Sequence, residues 1–370
     1  MKLTNFCRFN HKITAVKKCL TGLLLFVITI SLPAQKPGAL RDISEPESSE
    51  ADALCGPLKI ITICTAYLDS LELFYVKGMG MQLSGPFSLT KEQEKMQKRL
   101  FDINGNYKLY LLERKNVPEN IKIRVLLVSK NNPLIHKSYN AREMGPFTLG
   151  FPNANQEKLD KELRALGFTT MAPMQAAMLS KPDGTKYKYL ETIYKAPEFV
   201  HIVGIERGNG MPQLAPYDSA TLKGGPGYSA QIVTGMSNPM IQFYTYVLGW
   251  EMRRDNEWKT GEGSALGIEA GIPFRFSILY AKGARSGHIL LMDFTDGKKI
   301  ESNTPAQIPN RGIGMYSFET KNIQEVLERA KEKKLRVLQN PIIHEDAILG
   351  KVTAMTLLAP NGVMVEIYQK

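Results

Sequence analysis

The sequence predicts an α+β protein made of two homologous halves, and three observations support this fold class. Phe74-Tyr75 followed by Gly80 reappears as Phe243-Tyr244 followed by Gly249, an offset of 169 residues (243 − 74). Each half reads as strand, helix and two or three strands, and then repeats that order. The chain ends in Pro360-Asn361-Gly362 between two apolar, alternating segments, which is the signature of a β-hairpin.

The repeat is strongest in its helices. In the second half Met240, Phe243, Tyr244 and Val247 stand at i, i+3, i+4 and i+7, which places them on one face of a helix. Asn153 and Asn322 are again 169 apart, and each precedes a predicted helix, over 156–166 and 323–333. We therefore predict two tandem domains, at 58–206 and 228–370, that pair within one chain. A linker rich in Gly and Pro, 207–227, joins them.

Strands are predicted wherever β-branched and aromatic residues alternate with polar ones. In the first half the predicted strands are 60–66, 107–112, 121–128, 147–151, 187–193 and 199–205. In the second half they are 229–234, 274–280, 288–294, 314–318 and the two strands of the final hairpin. Predicted helices at 70–76 and 239–247 follow the first strand of each half.

The first 34 residues read as a secretory signal peptide, with a basic head, an apolar run over 20–32 and a small residue after it. The protein is therefore expected to be exported, to the periplasm or the cell exterior. Alternatively, residues 20–32 remain as an anchor that tethers an outward-facing body to the membrane. Residues 35–57 are polar and acidic at the start, and they are predicted to be a disordered spacer.

Charge gives no support for a nucleic-acid partner. The chain carries a net charge of +11, of which residues 1–34 contribute five, leaving +6 (11 − 5) for the rest. No basic run occurs in that remainder.

Of the four cysteines only Cys55 and Cys64 lie beyond the leader, and their spacing predicts neither a disulfide nor a zinc site.

In the final hairpin, alternation places Glu366 on the same face as Met364 and Tyr368. This ending, with the repeated Phe-Tyr…Gly helix end, resembles the vicinal oxygen chelate superfamily, which includes glyoxalase I, extradiol dioxygenases and the bleomycin-resistance proteins. The resemblance covers about residues 58–370. It implies paired βαβββ modules whose sheets curl into cups with helices outside, and a metal ligand at the position of Glu366.

The family's four metal-ligand positions can be carried over one at a time. In the second half they fall on Ser229, near Leu290, on Met315 and on Glu366. In the first half they fall on Ile60, near Ile123, on Pro146 and on Val203, and His201 lies two residues before the last of these on the same face. Only Glu366 and His201 are ordinary ligands, and one ligand per site does not hold a divalent cation. The sequence therefore predicts no metal and no other cofactor.

The resulting hypothesis is a cup that binds a small organic molecule without altering it, with Ser229, Met315, Glu366 and His201 as candidate binding residues. Two alternatives stay open. One is a lyase, isomerase or dioxygenase with a divalent metal at Glu366 or His201. The other is an envelope interaction module with degenerate pockets.

Single residues also keep two interpretations. His201 is either a polar anchor or a packed core residue. Met171, Met174 and Met178 either line the cup or fill the core, and His344-Glu345-Asp346 is either a solvated loop or a cap over the cup mouth.

Overall fold

The computed structural model describes residue 46 and residues 48–180, 184–208 and 213–370. The predicted signal or anchor, nearly all of the spacer up to residue 47, and residues 209–212 of the predicted linker lie outside this part. None of the helices within these ranges is long and apolar enough to cross a membrane.

The described residues form two mixed sheets of eight strands, and the predicted α+β class is confirmed. The order in the first sheet is β16-β17-β18-β15-β1-β4-β3-β2. Its strands are β1 (Cys55–Thr65), β2 (Gln82–Ser84), β3 (Lys108–Glu113), β4 (Lys122–Leu127), β15 (Gly312–Thr320), β16 (Val337–Asp346), β17 (Gly350–Leu358) and β18 (Met364–Gln369).

The second sheet has the corresponding order β12-β13-β14-β11-β5-β8-β7-β6. Its strands are β5 (Gly145–Pro152), β6 (Gln175–Ser180), β7 (Lys186–Lys195), β8 (His201–Arg207), β11 (Tyr228–Ile232), β12 (Glu251–Lys259), β13 (Pro273–Tyr280) and β14 (His288–Phe294). A separate two-stranded ribbon, β9 (Tyr217–Asp218) and β10 (Lys223–Gly224), lies in the predicted linker.

Each sheet takes one βαβββ module from each half of the chain. At the centre of the first sheet β1 pairs antiparallel with β15, and at the centre of the second β5 pairs antiparallel with β11. Neither half therefore completes a sheet by itself, and the sheets cross the boundary between the predicted domains 58–206 and 228–370. One face of each sheet packs into a core that the two sheets share with helices. We call the opposite face of the first sheet the first cup, and the opposite face of the second sheet the second cup.

Of the five α-helices found within the described ranges, four cover the other faces of the sheets. They are α1 (Leu68–Leu71), α3 (Gln156–Ala165), α4 (Ser237–Gln242) and α5 (Ile323–Glu332). α1 and α4 continue into π-helical turns, Glu72–Gly78 and Phe243–Val247, and their predicted apolar stripes are buried in one core with residues of both sheets. The fifth helix, α2 (Lys91–Leu100), instead packs on β16 and β17 at the first cup.

Several segments differ from their sequence-based expectations. Residues 50–57 of the predicted spacer form a turn and the start of β1, because the Cys55 amide donates to the Leu248 carbonyl and the strand extends alongside β15. His344, Glu345 and Asp346 belong to β16 rather than to a loop. Pro341 is tolerated there because β16 is an edge strand and its register shifts at that point. The elements that were not predicted are α2, β2, β6, β12, β16 and the ribbon of β9 and β10.

Candidate functional site: two unlike cups

The two cups can be compared residue by residue because their strand registers correspond. Asn155 and Asn322 each cap a helix by accepting a hydrogen bond from the third residue beyond, Lys158 or Glu325. The caps are 167 residues apart (322 − 155), so Asn155, and not Asn153, is the counterpart of Asn322. The same offset pairs Ser317 with Gly150, and these lie opposite Glu366 and Val203 in the parallel ladders.

Four polar residues meet at the centre of the first cup. Thr62 on β1 lies beside Arg124 on β4, and Ser317 on β15 lies beside Glu366 on β18. All four are fully buried. Arg124 Nη1 donates to Glu366 Oε2 at 2.9 Å, so a guanidinium and a carboxylate form an ion pair here.

A second carboxylate extends this pair toward α2. Asp346 Oδ2 lies 3.9 Å from Arg124 Nη2 and accepts a hydrogen bond from Gln97 Nε2 at 3.0 Å. The Tyr107 hydroxyl donates to Gln97 Oε1 at 2.8 Å. Burial alone would raise the pKa of Asp346, but Arg124 and hydrogen bonds from the Leu349 and Ile348 amides and from Gln97 lower it below its usual value. The network therefore holds α2 over the first cup.

The remaining interior of the first cup is filled by side chains. Leu100 and Phe101 at the end of α2 pack there with residues of the sheet, and the Phe101 ring lies 5.0 Å from the Arg124 guanidinium carbon. Several polar atoms around the ion pair have no hydrogen-bond partner among the described residues: Thr62 Oγ1, Ser317 Oγ, Glu366 Oε1, Arg124 Nε and both ring nitrogens of His344. The first cup is thus polar at its centre and closed to solvent.

A divalent metal, which the fold family implies, does not fit these donors. In the first cup one of the four central positions is the guanidinium of Arg124, whose positive charge opposes a second cation, and only one of the other three, Glu366, is a carboxylate. In the second cup the corresponding residues are Ala230, Leu290, Gly150 and Val203, which offer no ligand atom from a side chain. Within the described ranges no group of three or more His, Cys, Asp or Glu side chains could hold a metal ion.

The second cup has an apolar interior that is not fully covered. Two apolar clusters line it, one around Phe147, Ile232 and Phe294 and the other around Val203, Ile205 and Tyr228. Leu290 packs against both clusters and is half-buried, whereas its counterpart Arg124 in the first cup is fully enclosed. Solvent therefore reaches the middle of the second cup.

Two segments form the mouth of this cup. Leu266, in the loop between β12 and β13, and Met171 each touch both apolar clusters and are half-buried. Gln175 at the start of β6 donates a hydrogen bond to the Gly263 carbonyl of the same loop. Of the three methionines singled out in the sequence, Met171 thus lines the cup, while Met178 is exposed on the outer face of β6.

A carboxyl group lies on the second-cup face of β7. Glu191 on β7 lies between Tyr189 and Ile193, which share its face and pack into the cluster around Tyr228. Burial raises the pKa of Glu191 to about 7, against the opposing effect of a hydrogen bond with Tyr189. Among the described residues, no Lys or Arg forms an ion pair with it. Glu191 is therefore a carboxyl group in an aromatic and apolar wall.

A stack of rings closes one side of the same cup. His288 lies between Tyr228 and Tyr280, with ring centroids 4.9 Å and 4.2 Å away and nearly parallel planes. Burial, reinforced by the nearby Arg253, lowers the pKa of His288 to about 3. The imidazole is therefore neutral and acts as a flat packing surface in the wall.

The four residues singled out in the sequence do not form one site. Glu366 and Met315 lie in the first cup. His201 lies in the wall of the second cup, with its Nδ1 3.2 Å from the Phe147 carbonyl oxygen and its ring 4.3 Å from the Phe147 ring. Burial lowers the pKa of His201 to about 4.

Ser229 faces the layer between the two sheets, where its hydroxyl contacts the Thr148 carbonyl and the Tyr316 hydroxyl. The strand register explains this, because Tyr228 and not Ser229 is the counterpart of Ile60. Sequence reasoning also missed Arg124 and Glu191, and it placed Asp346 in a loop rather than at the end of β16. Arg124 carried a usable signal, because it is a charged residue in the middle of the apolar strand that ends in Val125, Leu126 and Leu127.

A groove of about 630 Å³ runs along the outer side of α2, between Lys95, Arg99 and Gln339. Charges of both signs line it, including Glu94 and Asp102, so it selects neither anions nor cations.

Comparison with solved structures agrees with this architecture. A glyoxalase I mutant from Zea mays has a TM-score of 0.58 at 14% identity, with 86% of this chain and 94% of that chain covered. Glyoxalase I from Zea mays itself has a TM-score of 0.53 at 13% identity, with the same coverage. No protein-family model matches the sequence, and no curated protein matches it significantly. The chain has the vicinal oxygen chelate fold.

Proposed function

We propose that this protein binds a small, largely apolar organic molecule in the second cup, without a metal ion. The observation that carries the proposal is the exposure of the central cup wall. Leu290 at the centre and Phe276, Tyr189 and Glu191 around it are half-buried. Apolar clefts with a few polar groups are the usual form of small-molecule sites, and contact with such a ligand would remove this apolar area from water.

The first cup has a different role in this proposal. Its centre is occupied by the ion pair of Arg124 and Glu366, and α2 lies over it. Entry of a ligand would require α2 to leave, which would expose Leu100 and Phe101 and break the hydrogen bond between Gln97 and Asp346. The first cup thus stabilises the chain and leaves ligand binding to the second.

The test is calorimetric titration with benzyl alcohol, a neutral aromatic probe, on the wild type and on Leu290→Trp. The larger indole fills the middle of the second cup, so binding should fall by about tenfold or more, equivalent to about 1.4 kcal/mol. Met178→Trp adds the same side chain to the outer face of the same sheet and should leave binding unchanged. Equal binding by all three proteins, or none by the wild type, would contradict the proposal.

We also propose that binding takes place outside the cytoplasm, on the strength of the basic and apolar leader alone. Fractionation of cells that express the full chain tests this. Recovery with cytosolic proteins would contradict it, and recovery with membranes would favour the anchor over residues 20–32.

A further inference from the structure

The two cups differ in whether a cation of the chain lies next to the carboxyl group on the inner wall. In the first cup Glu366 has its own cation, because Arg124 Nη1 lies 2.9 Å from Glu366 Oε2. In the second cup Glu191 faces the interior, and no Lys or Arg of the described residues forms an ion pair with it. Arg207, opposite Tyr189 on the neighbouring strand, lies over the Tyr187 ring. A carboxylate held in an apolar wall is costly unless a positive charge or several hydrogen-bond donors compensate it.

Aromatic rings surround this carboxyl group. Tyr189 precedes it by two residues on the same face, and Tyr228 lies across the sheet in the same cluster as Tyr189, where burial and the charge of Glu191 raise the pKa of Tyr228. Rings next to a carboxylate favour a cation, because the electron-rich faces of aromatic rings attract positive charge. A ligand carboxylate placed here would instead be repelled by Glu191.

The rest of the cup determines the body of such a ligand. Leu290, Met171 and Leu266 pack against the cluster that contains Tyr228, and all three are half-buried and apolar. A molecule that places its charge at Glu191 therefore meets an apolar wall with its remaining atoms. Dispersion and burial of apolar area then contribute to affinity, while the charge sets orientation.

Building on the proposed binding in the second cup, we propose that its ligands are apolar or aromatic amines whose cationic nitrogen pairs with the Glu191 carboxylate beside Tyr189 and Tyr228. Glu191 thereby does for the ligand what Glu366 does for Arg124. The proposal assigns selectivity for cations over neutral and acidic molecules of the same shape to one residue.

The experiment compares three probes of one shape, benzylamine, benzyl alcohol and benzoate, by calorimetric titration at pH 8. The wild type should bind benzylamine about tenfold more tightly than benzyl alcohol, and benzoate most weakly. In Glu191→Gln the preference for benzylamine should shrink to within about twofold. Glu262→Gln removes an exposed carboxylate from the loop at the same cup mouth and should keep the full preference.

The outcomes separate the two proposals. If benzyl alcohol binds as tightly as benzylamine, or if Glu191→Gln keeps the preference, the assignment of Glu191 fails while binding in the second cup stands. If no probe binds to the folded wild type, both fail. Circular dichroism of each variant shows that it is folded, and Glu191→Asp, which keeps the charge, should retain most of the preference.

Discussion

Arg124 and Glu366 form an ion pair at the centre of the first cup, on two strands separated by 242 residues in sequence, with no solvent contact. Glu366 is the residue that the resemblance to the vicinal oxygen chelate superfamily identifies as a metal ligand. Here a guanidinium from the chain itself lies next to it. The folded chain therefore supplies its own cation, Arg124, at the place where the family's metal ion would lie.

The first prediction concerns Arg124. Arg124→Met removes the cation and leaves two buried carboxylates, Glu366 and Asp346, without it, so the free energy of unfolding should fall by about 3–5 kcal/mol. Urea denaturation measures this. The double variant Arg124→Met with Glu366→Met removes one of those carboxylates as well and should recover part of the loss.

Arg164→Met serves as the control, because Arg164 is exposed and pairs with the half-buried Asp160 on α3 at 2.7 Å. This change should cost less than about 0.5 kcal/mol. A loss from Arg124→Met no larger than that of Arg164→Met would show that the buried pair does not hold the first cup together.

The second prediction concerns the attachment of α2. Gln97→Leu removes the side-chain donor to Asp346 and the acceptor of Tyr107, and should cost about 1–3 kcal/mol of unfolding free energy. Lys95→Leu, at an exposed position of the same helix, should change it by less than about 0.5 kcal/mol. Hydrogen exchange should show faster exchange of α2 amides in Gln97→Leu alone, and unchanged protection would contradict the closed first cup.

The third prediction is the pH dependence that Glu191 causes. Its pKa is about 7 in the folded protein, against 4.5 for the ordinary group. The folded state therefore binds more protons between these values, and the free energy of unfolding should fall as pH rises from about 4.5 to about 7. The difference is roughly 3 kcal/mol at most, and solvent around the half-buried group reduces it. In Glu191→Gln the free energy of unfolding should not decline over this pH range. The same decline in the wild type and in this variant would show that Glu191 is not the group with the raised pKa.

The fourth prediction has the opposite sign. Burial lowers the pKa of His201 from 6.5 to about 4, so the unfolded chain binds more protons between these values. The free energy of unfolding should therefore fall as pH drops from 6.5 toward 4. His201→Phe, which keeps a ring against Phe147, should flatten this part of the curve by up to about 3 kcal/mol. If the free energy of unfolding falls just as steeply between pH 6.5 and 4 in His201→Phe as in the wild type, burial does not hold His201 neutral.

The sequence predicted the fold because its periodic signals are local. The apolar stripe through Phe243 and Tyr244 and the alternation from Val363 to Ile367 both report a buried face directly. Which strands share a sheet was not predictable from these patterns, because the pairing of β1 with β15 joins residues from 248 (312 − 64) to 265 (320 − 55) positions apart.

The site was harder to predict, since a shift of one or two residues changes the face or the side chain at every position. Asn153 looks like Asn322 in sequence, but the helix cap is Asn155, and this shifts the correspondence of the neighbouring strand. Ser229 was placed on the cup face for a similar reason. Asp346 was assigned to a loop because Asn340 and Pro341 precede it, and its tertiary contacts with Arg124 and Gln97 could not be read from the sequence. Glu191 gives no sequence signal apart from alternation with aromatic residues.

The most direct test of binding in the second cup is a crystal structure of the protein soaked with 4-bromobenzylamine, in which anomalous scattering locates the bromine atom. We expect a bromine peak inside the second cup, near Leu290, with the amine toward Glu191. A peak confined to the first cup or to the outer surface of the sheets, with the second cup empty, would contradict the account.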